Sequence, residues 1–422
     1  MRFDNLDAWL CWQETLHPSA IELGLERIGA VWNRLGCGPL AFPVITVAGT
    51  NGKGSCAAML EAIYRAAGYR TGCYTSPHLL RYNERIRLDG RGADDDLLCA
   101  AFERVDAARG DSILTYFEFG TLAALDIFAR SGLDVAILEV GLGGRLDAVN
   151  IVDPDVAIVT TIGRDHTEWL GNDLDGIAAE KAGIFRRARP VVVGHREPLP
   201  SLLRRARELD CRLSVLGRDF EWTRESTGWR WSARGLAGAS MPVPALRGEF
   251  QYDNAATALT AVSCLAQRLP VPTGDLRLGL QRARIRGRFQ VLQSEVTWIL
   301  DVAHNAQAAN ALAANLASLR CPGHLHAVLG TLADKEPAAI AGPLAAQVDS
   351  WHLGQAAHPR ALPVSKLRSA LRGVDLGRDL RAYPDIEAAL EGAARAARPG
   401  DCILAFGSFT TVEAALRRTH KE

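Results

Sequence analysis

Apolar, β-branched runs alternate with helix-spaced segments along most of the chain. Val44 to Ala48 is followed by a glycine-rich turn and then by Cys56 to Tyr64, whose spacing and good helix formers predict a strand, a loop and a helix. The rhythm recurs at Asp134 to Val140 and at Val156 to Thr161. These runs are continuously apolar rather than alternating, which predicts strands buried on both faces in a parallel sheet covered by helices. From about Leu202 to Met241 the pattern changes. Trp222, Trp229 and Trp231 stand among charges and glycines in short alternating stretches, predicting a small antiparallel excursion. A second βα series starts at Val296 to Asp301, continues through His326 to Gly330 and ends with Asp401 to Phe406, with an alanine-rich helix around Ala306 to Ala317. Between the two series lies the basic stretch Arg282 to Phe289. The expected organisation is an N-terminal domain over residues 1–284, a linker over 285–290 and a smaller α/β domain over 291–422.

Composition narrows the class. The 422 residues carry 48 Lys+Arg and 48 Asp+Glu, so net charge gives no reason to expect a nucleic-acid or anionic-membrane partner. With 48% hydrophobic and 23% charged residues the chain reads as globular, and its length suggests roughly two or three domains. The N-terminus has acids where a secretory leader needs bases, and no run is long and apolar enough for a membrane helix. The nine cysteines are scattered without a C-x-x-C pair, so they read as reduced, buried small residues, and the expected location is cytoplasmic.

Candidate chemistry clusters at strand ends. Thr50, Asn51, Gly52, Lys53, Gly54 and Ser55 follow Gly49 between a strand and a helix. Glycines let backbone N–H groups surround phosphate oxygens, lysine supplies a charge, the serine hydroxyl can meet Mg²⁺ and the helix dipole favours an anion. The strict G-x-x-x-x-G-K-[ST] spacing is not met, because Val47 stands five before Gly52 and Gly54 separates Lys53 from Ser55. Glu139, ending a buried strand before Gly141, Gly143 and Gly144, is placed to hold a metal near such phosphates. Asp165, His166 and Glu168 follow the next strand. Glu180 and Lys181, read alone, are a solvated helix face. In the second half Asp301, His304 and Asn305 form a polar group between strand and helix. Asn254 and Arg288, each taken singly, read first as capping or solvated residues.

Together these segments resemble the folylpolyglutamate synthase/dihydrofolate synthase family, a branch of the Mur ligase superfamily. The matching pieces are Gly49 to Ser55, Thr75 to Leu79, Tyr116 to Glu118, Glu139 to Asn150, Asp165 to Gly171, Glu180 to Phe185, Gly248 to Ala258, Arg286 to Gln290, Asp301 to Asn305 and Phe406 to Phe409. They stand in family order over nearly the whole chain. The resemblance implies an α/β fold: a P-loop, Mur-ligase-like ATPase domain with a parallel sheet, then a smaller Rossmann-like C-terminal domain. It implies ATP-dependent addition of L-glutamate to dihydropteroate and to tetrahydrofolate derivatives through an acyl phosphate. Lys53 and its neighbouring amides would cradle the β- and γ-phosphates. Ser76, Glu139, His166 and a carbamylated Lys181 would serve two Mg²⁺ ions, and a monovalent cation such as K⁺ is a further candidate. Asn254, Arg288 and Asp301 would contact ATP, with His304 near the nucleotide or the incoming glutamate. Thr115, Tyr116, Phe117, Glu118, Leu146, Asp147 and Ala148 would bind the pterin, by ring stacking and a carboxylate on its donor edge. Two departures are Ala306, where relatives often have proline, and Arg286 before Gly287, where proline often stands.

Small-molecule substrates and a monomer are therefore expected. Three other functions are weighed against this one. An enzyme confined to polyglutamylation is the nearest. A cell-wall ligase would need an additional N-terminal nucleotide domain, for which 43 residues before Val44 leave little room. A P-loop switch without ligase chemistry would not account for Asp301, His304 and Asn305.

Overall fold

The computed structural model describes residues 2–19, 21–319, 321–377 and 379–419. Two compact units emerge, Met1–Ala245 with Tyr252–Arg284, and Leu246–Gln251 with Ile285–Glu422. The first is built on an eight-stranded sheet. Its strands are β1 (Val44–Ala48), β2 (Thr71–Tyr74), β3 (Ile86–Leu88), β4 (Arg91–Gly92), β5 (Val135–Glu139), β6 (Val156–Val159), β7 (Pro190–Val193) and β8 (Arg212–Val215). Their order is β4-β3-β2-β5-β1-β6-β7-β8. From β2 to β8 the pairs are parallel, and β3 and β4 add an antiparallel edge. Every residue of β1, β5, β6 and β7 is buried, as continuous apolar runs require in a sheet covered on both faces. Register places Val47 beside Glu139 and Ala48 beside Val159, so the carboxyl ends of the three central strands finish side by side. Ligands in open α/β sheets bind outside such ends.

An aromatic knot anchors the N-terminal helix Leu6–Leu16. Trp9, fully buried, meets Phe3, Trp12, Phe102 and Phe119 with ring centroids 5.2 to 6.4 Å apart. Phe102 and Phe119 belong to helices Asp95–Arg109 and Tyr116–Arg130, so this packing fixes the segment that begins at Tyr116. The expected antiparallel excursion is present as β9 (Phe220–Glu225), β10 (Gly228–Ala233) and β11 (Ala239–Met241), with Trp229 and Trp231 buried.

The second unit holds β12 (Gln290–Leu292), β13 (Thr297–Asp301), β14 (Leu325–Leu329), β15 (Ser350–Leu353), β16 (Leu380–Ala382) and β17 (Cys402–Phe406). They lie in the order β12-β13-β17-β14-β15-β16, parallel except for β12. Ile299, Leu312, Leu329, Trp351, Leu404 and Phe406 centre its core. From the amino ends of β14 and β15 to the residue after β16 the unit carries a largely buried polar chain. His326 lies 3.3 Å from Asp401 and 2.7 Å from Ser350 Oγ, which lies 3.2 Å from His352, itself 3.1 Å from the Tyr383 hydroxyl. One proton assignment satisfies every link with both imidazoles neutral: Tyr383 donates to His352, His352 to Ser350, Ser350 to His326 and His326 to Asp401.

All nine cysteines are free thiols. Only Cys56, Cys73, Cys99 and Cys402 are buried, whereas Cys11 is exposed, so the expectation of general burial holds for four of the nine. Among the described residues no helix is long and apolar enough to cross a membrane.

Replacing Trp9 with alanine removes the centre of the aromatic knot. It should cost about 3–5 kcal/mol, read as a lower denaturant midpoint for the first unit. Burial, then the His326 charge, lowers the His352 pKa to about 4 from 6.5. Between those values the unfolded chain binds a proton that the folded one refuses. Stability of the second unit should therefore decline as pH falls from about 6.5 to about 4 and flatten below it, and His352→Phe should blunt the decline.

Candidate functional site

The site begins where β1 ends. Gly49 and Gly52 have φ of 146° and 89°, in the region that favours glycine. A Cβ on Gly49 would lie 1.9 Å from Thr160 Oγ1, and one on Gly52 would lie 2.5 Å from Asn254 Oδ1. The loop between them is bonded to the end of β6. Thr50 N–H donates to the Thr161 carbonyl at 2.7 Å, and Asn51 N–H to Thr161 Oγ1 at 3.2 Å. The Asn51 carbonyl accepts from Thr160 Oγ1 at 2.6 Å and Thr161 Oγ1 at 3.1 Å. Thr50 Oγ1 both donates to the Gly163 carbonyl and accepts from Gly163 N–H, each at 3.0 Å. Helix Lys53–Ala66 starts directly after Gly52, with Gly54 and Ser55 buried in its first turn. Its amino end therefore opens at the carboxyl edge of the sheet, the arrangement that suits an anion. Thr160 and Thr161 were not singled out from sequence. A pair of hydroxyls just after an apolar run was the available signal.

Two lysines converge here. Lys53 Nζ donates to the Gly49 carbonyl at 2.9 Å and the Thr50 carbonyl at 3.1 Å, and Lys181 Nζ donates to the same Gly49 carbonyl at 3.1 Å. Lys181, the last residue of helix Leu174–Lys181, is buried, so the solvated-face reading fails for it. Glu180 beside it is half-buried and pairs with Arg145 at 2.9 Å. Burial, then the Lys53 charge, pulls the Lys181 pKa from 10.5 to about 7, against Asp165 and Asp147. The glycine-rich loop after β5 packs on this helix end. A Cβ on Gly144 would lie 2.8 Å from the Glu180 carbonyl oxygen.

Glu139 is buried at the end of β5, and Ser76 N–H points at its Oε2 across 3.4 Å, bringing these two expected metal ligands together. His166 is half-buried with φ of 51° and precedes the short helix Thr167–Leu170, its N–H donating to Asp165 Oδ1 at 2.9 Å. Among the described residues no group of three or more His, Cys, Asp or Glu side chains is arranged to hold a metal. Oxygen donors of Ser76 and Glu139 suit a hard cation, but one carboxylate is a weak anchor alone, and a second anion at Lys181 would complete the set.

The expected pterin segment divides into two roles. Thr115 N–H donates to Glu118 at 2.8 Å while Glu118 N–H donates to Thr115 Oγ1 at 3.2 Å, a capping box opening helix Tyr116–Arg130. Both Glu118 oxygens also accept from Arg27 at 3.0 to 3.2 Å. These bonds give Glu118 a structural task. Phe117 stacks on Tyr74 with centroids 6.0 Å apart and lies over Gly141, where a Cβ would come within 2.6 Å of its ring. Asp147 is buried and accepts from Leu142 N–H at 2.7 Å and Val149 N–H at 3.1 Å. Burial raises its pKa to about 6 against those backbone donors. Leu146 beside it is half-buried and Ala148 buried. Asn254, expected at the nucleotide, is buried against Gly52.

In the second unit Asp301 accepts from Phe289 N–H at 2.7 Å and Ala303 N–H at 2.8 Å. Burial raises its pKa against the charge of Arg288. Arg288 lies over the Phe409 ring at 5.2 Å, and the His304 ring is 6.1 Å from the same ring. His304 Nδ1 sits 2.7 Å from the Val302 carbonyl and must carry its proton there. Asn305 caps helix Ala306–Ser318 by accepting from Ala308 N–H at 2.9 Å. Asp301, Arg288, His304 and Phe409 thus form one cluster at the carboxyl end of β13.

Comparison with known proteins gives this arrangement a context. The Mur ligase middle domain matches residues 47–262, and the Mur ligase glutamate ligase domain matches residues 287–409. The chain is 42% identical over 409 residues to the dihydrofolate synthase/folylpolyglutamate synthase of Escherichia coli strain K12, covering 96% of this chain and 94% of that one. It is 35% identical over 389 residues to the Mycobacterium tuberculosis protein of the same name, covering 85% and 79%. Among solved structures, E. coli FolC in complex with DHPP and ADP superposes with a TM-score of 0.92 at 40% identity, covering 99% of this chain and 98% of that chain. A bifunctional folylpolyglutamate synthase/dihydrofolate synthase with Mn, AMPPNP and L-glutamate bound gives 0.90 at 42% identity, with the same coverage. With both domains matched in order and nearly the whole length aligned, the chain belongs to the Mur ligase family, in its dihydrofolate synthase/folylpolyglutamate synthase branch.

Proposed function

We infer that this chain joins L-glutamate to dihydropteroate, forming dihydrofolate, and to tetrahydrofolate derivatives, extending their glutamyl tails, with ATP converted to ADP and phosphate. The observation that carries the reading is the convergence of Lys53 and Lys181 on the Gly49 carbonyl, at the amino end of a helix and beside Glu139. Relatives with DHPP and ADP, or with a nucleotide analogue and L-glutamate, support both halves of the reaction.

The acceptor's carboxylate oxygen attacks the γ-phosphorus of ATP, ADP leaves, and an acyl phosphate forms. The α-amine of glutamate then adds to the acyl carbon, and the amide forms as phosphate departs and the amine loses a proton. Both steps bring anions together, so fixed positive charge and aligned N–H groups lower the barrier. Lys53 and the backbone amides after Gly52 bind the phosphates, and Asn254 buttresses that turn. Lys181, held close to neutrality by burial and by Lys53, is primed to add CO₂ as a carbamate with loss of one proton. The product exchanges a repelling cation for an anion that Lys53 welcomes. Ser76, Glu139, His166 and the carbamate would hold Mg²⁺, which when bound neutralises phosphate charge. Phe117 and Asp147 receive the pterin, through the ring face and the carboxylate respectively. In the second unit Arg288 and Asp301 serve ATP, and His304 serves the nucleotide or glutamate.

Lys53→Ala should lower glutamate-dependent ADP release by about 10³-fold, and near-normal release would exclude the phosphate role. Lys181→Ala should be similarly slow but partly restored by added acetate. The wild-type protein in ¹³C-bicarbonate should show a carbamate carbon resonance that the variant lacks. Full activity of Lys181→Ala without added acid would make this lysine structural.

A further inference from the structure

Three arginines line the turn and strand after Ser76, and two have carboxylate partners. Arg81 pairs with Asp95 at 3.1 Å and Arg87 with Glu61 at 2.9 Å. Arg85 pairs with no carboxylate among the described residues. Its guanidinium lies over the rings of Tyr82 and Tyr116, 5.4 Å from each centroid, and its Nε–H donates to His78 Nδ1 at 2.8 Å. Half-buried beside the edge-to-face pair of Tyr82 and Tyr116, it is held in place by contacts that include no carboxylate.

The position gives that charge a meaning. Arg85 ends the turn Tyr82–Arg85, and its carbonyl accepts from Thr75 N–H at 2.9 Å, next to Ser76 and its contact with Glu139. On the other side Tyr116 leads into Phe117, stacked on Tyr74. Arg85 therefore stands between the aromatic wall assigned to the pterin and the segment that carries Ser76, assigned to metal. Dihydropteroate has a single carboxylate, the one that must reach ATP. A glutamylated acceptor has another, its α-carboxylate, lying along the molecule between the aryl amide and the reacting γ-carboxyl.

We propose that Arg85 binds the α-carboxylate of glutamylated acceptors, and so sets the preference between folates and dihydropteroate at one shared site. The proposal rests on the functional reading above. A guanidinium suits the task because it meets a carboxylate through two parallel N–H donors, which its contacts with Tyr82, Tyr116 and His78 orient in advance.

The test measures binding without ATP, so that it stays separate from the ligase reaction. Fluorescence titrations of the full chain compare pteroylmonoglutamate with pteroate for wild type, Arg85→Gln and Arg85→Lys, with thermal midpoints confirming that each variant folds. Wild type should bind pteroylmonoglutamate more tightly. Arg85→Gln should reduce the ratio of the two Kd values by about tenfold, and Arg85→Lys should keep part of it. Equal weakening of both ligands in Arg85→Gln would overturn the proposal, since it would mean a structural role or contact with the carboxylate they share. An unchanged ratio would overturn it as well. Absence of ADP release with every acceptor, alongside intact discrimination in binding, would count against the ligase reading and leave the assignment of Arg85 standing.

Discussion

Two lysine amines share one carbonyl oxygen at the carboxyl edge of the first unit's sheet, and positive charge on both at that distance is repulsive. Removing Lys181 from water is the larger penalty and the Lys53 charge adds to it, so the Lys181 pKa is depressed even against Asp165 and Asp147. An arrangement of this kind persists because something negative belongs there. A nucleotide phosphate would answer Lys53, and a carbamate on Lys181 would convert the repulsion into attraction. The surrounding architecture serves this contact. The parallel register ends β1, β5 and β6 together, the glycine loop after β5 packs onto the helix that ends at Lys181, and Asn254 fills the space beside Gly52.

Much of this was legible in the letters. Strand runs and glycine turns located the glycine loop between β1 and the helix Lys53–Ala66, and continuous apolar character gave a parallel sheet. Burial of Lys181 was not legible, because its short helix has no strongly apolar face and what covers it comes from a loop some forty residues earlier in the chain. Glu118 shows the opposite difficulty. A Thr-x-x-Glu pattern is a capping signature readable from spacing, yet Arg27, its partner 91 residues away, is not. Arg85 lay unremarked for a similar reason, since its distinction is the lack of a carboxylate that its neighbours have.

The second unit teaches restraint about polar clusters. Asp301 and Asn305 both spend side-chain oxygens on backbone N–H groups, one tying β13 to the residues just before β12, the other starting a helix. Such bonds also hold a site rigid. Arg288 and His304 meet over Phe409 because Asp301 fixes the loops that carry them.

The close approach of Gly49 to Thr160 constrains how this sequence can drift over time. Any side chain at position 49 would collide with the hydroxyl at position 160, and that hydroxyl caps the Asn51 carbonyl. Removing the hydroxyl first would loosen the loop, and adding a methyl first would displace it, so neither single step passes through a well-formed intermediate. The two positions are locked together, and descendants of this chain should keep both or change the construction of the whole loop.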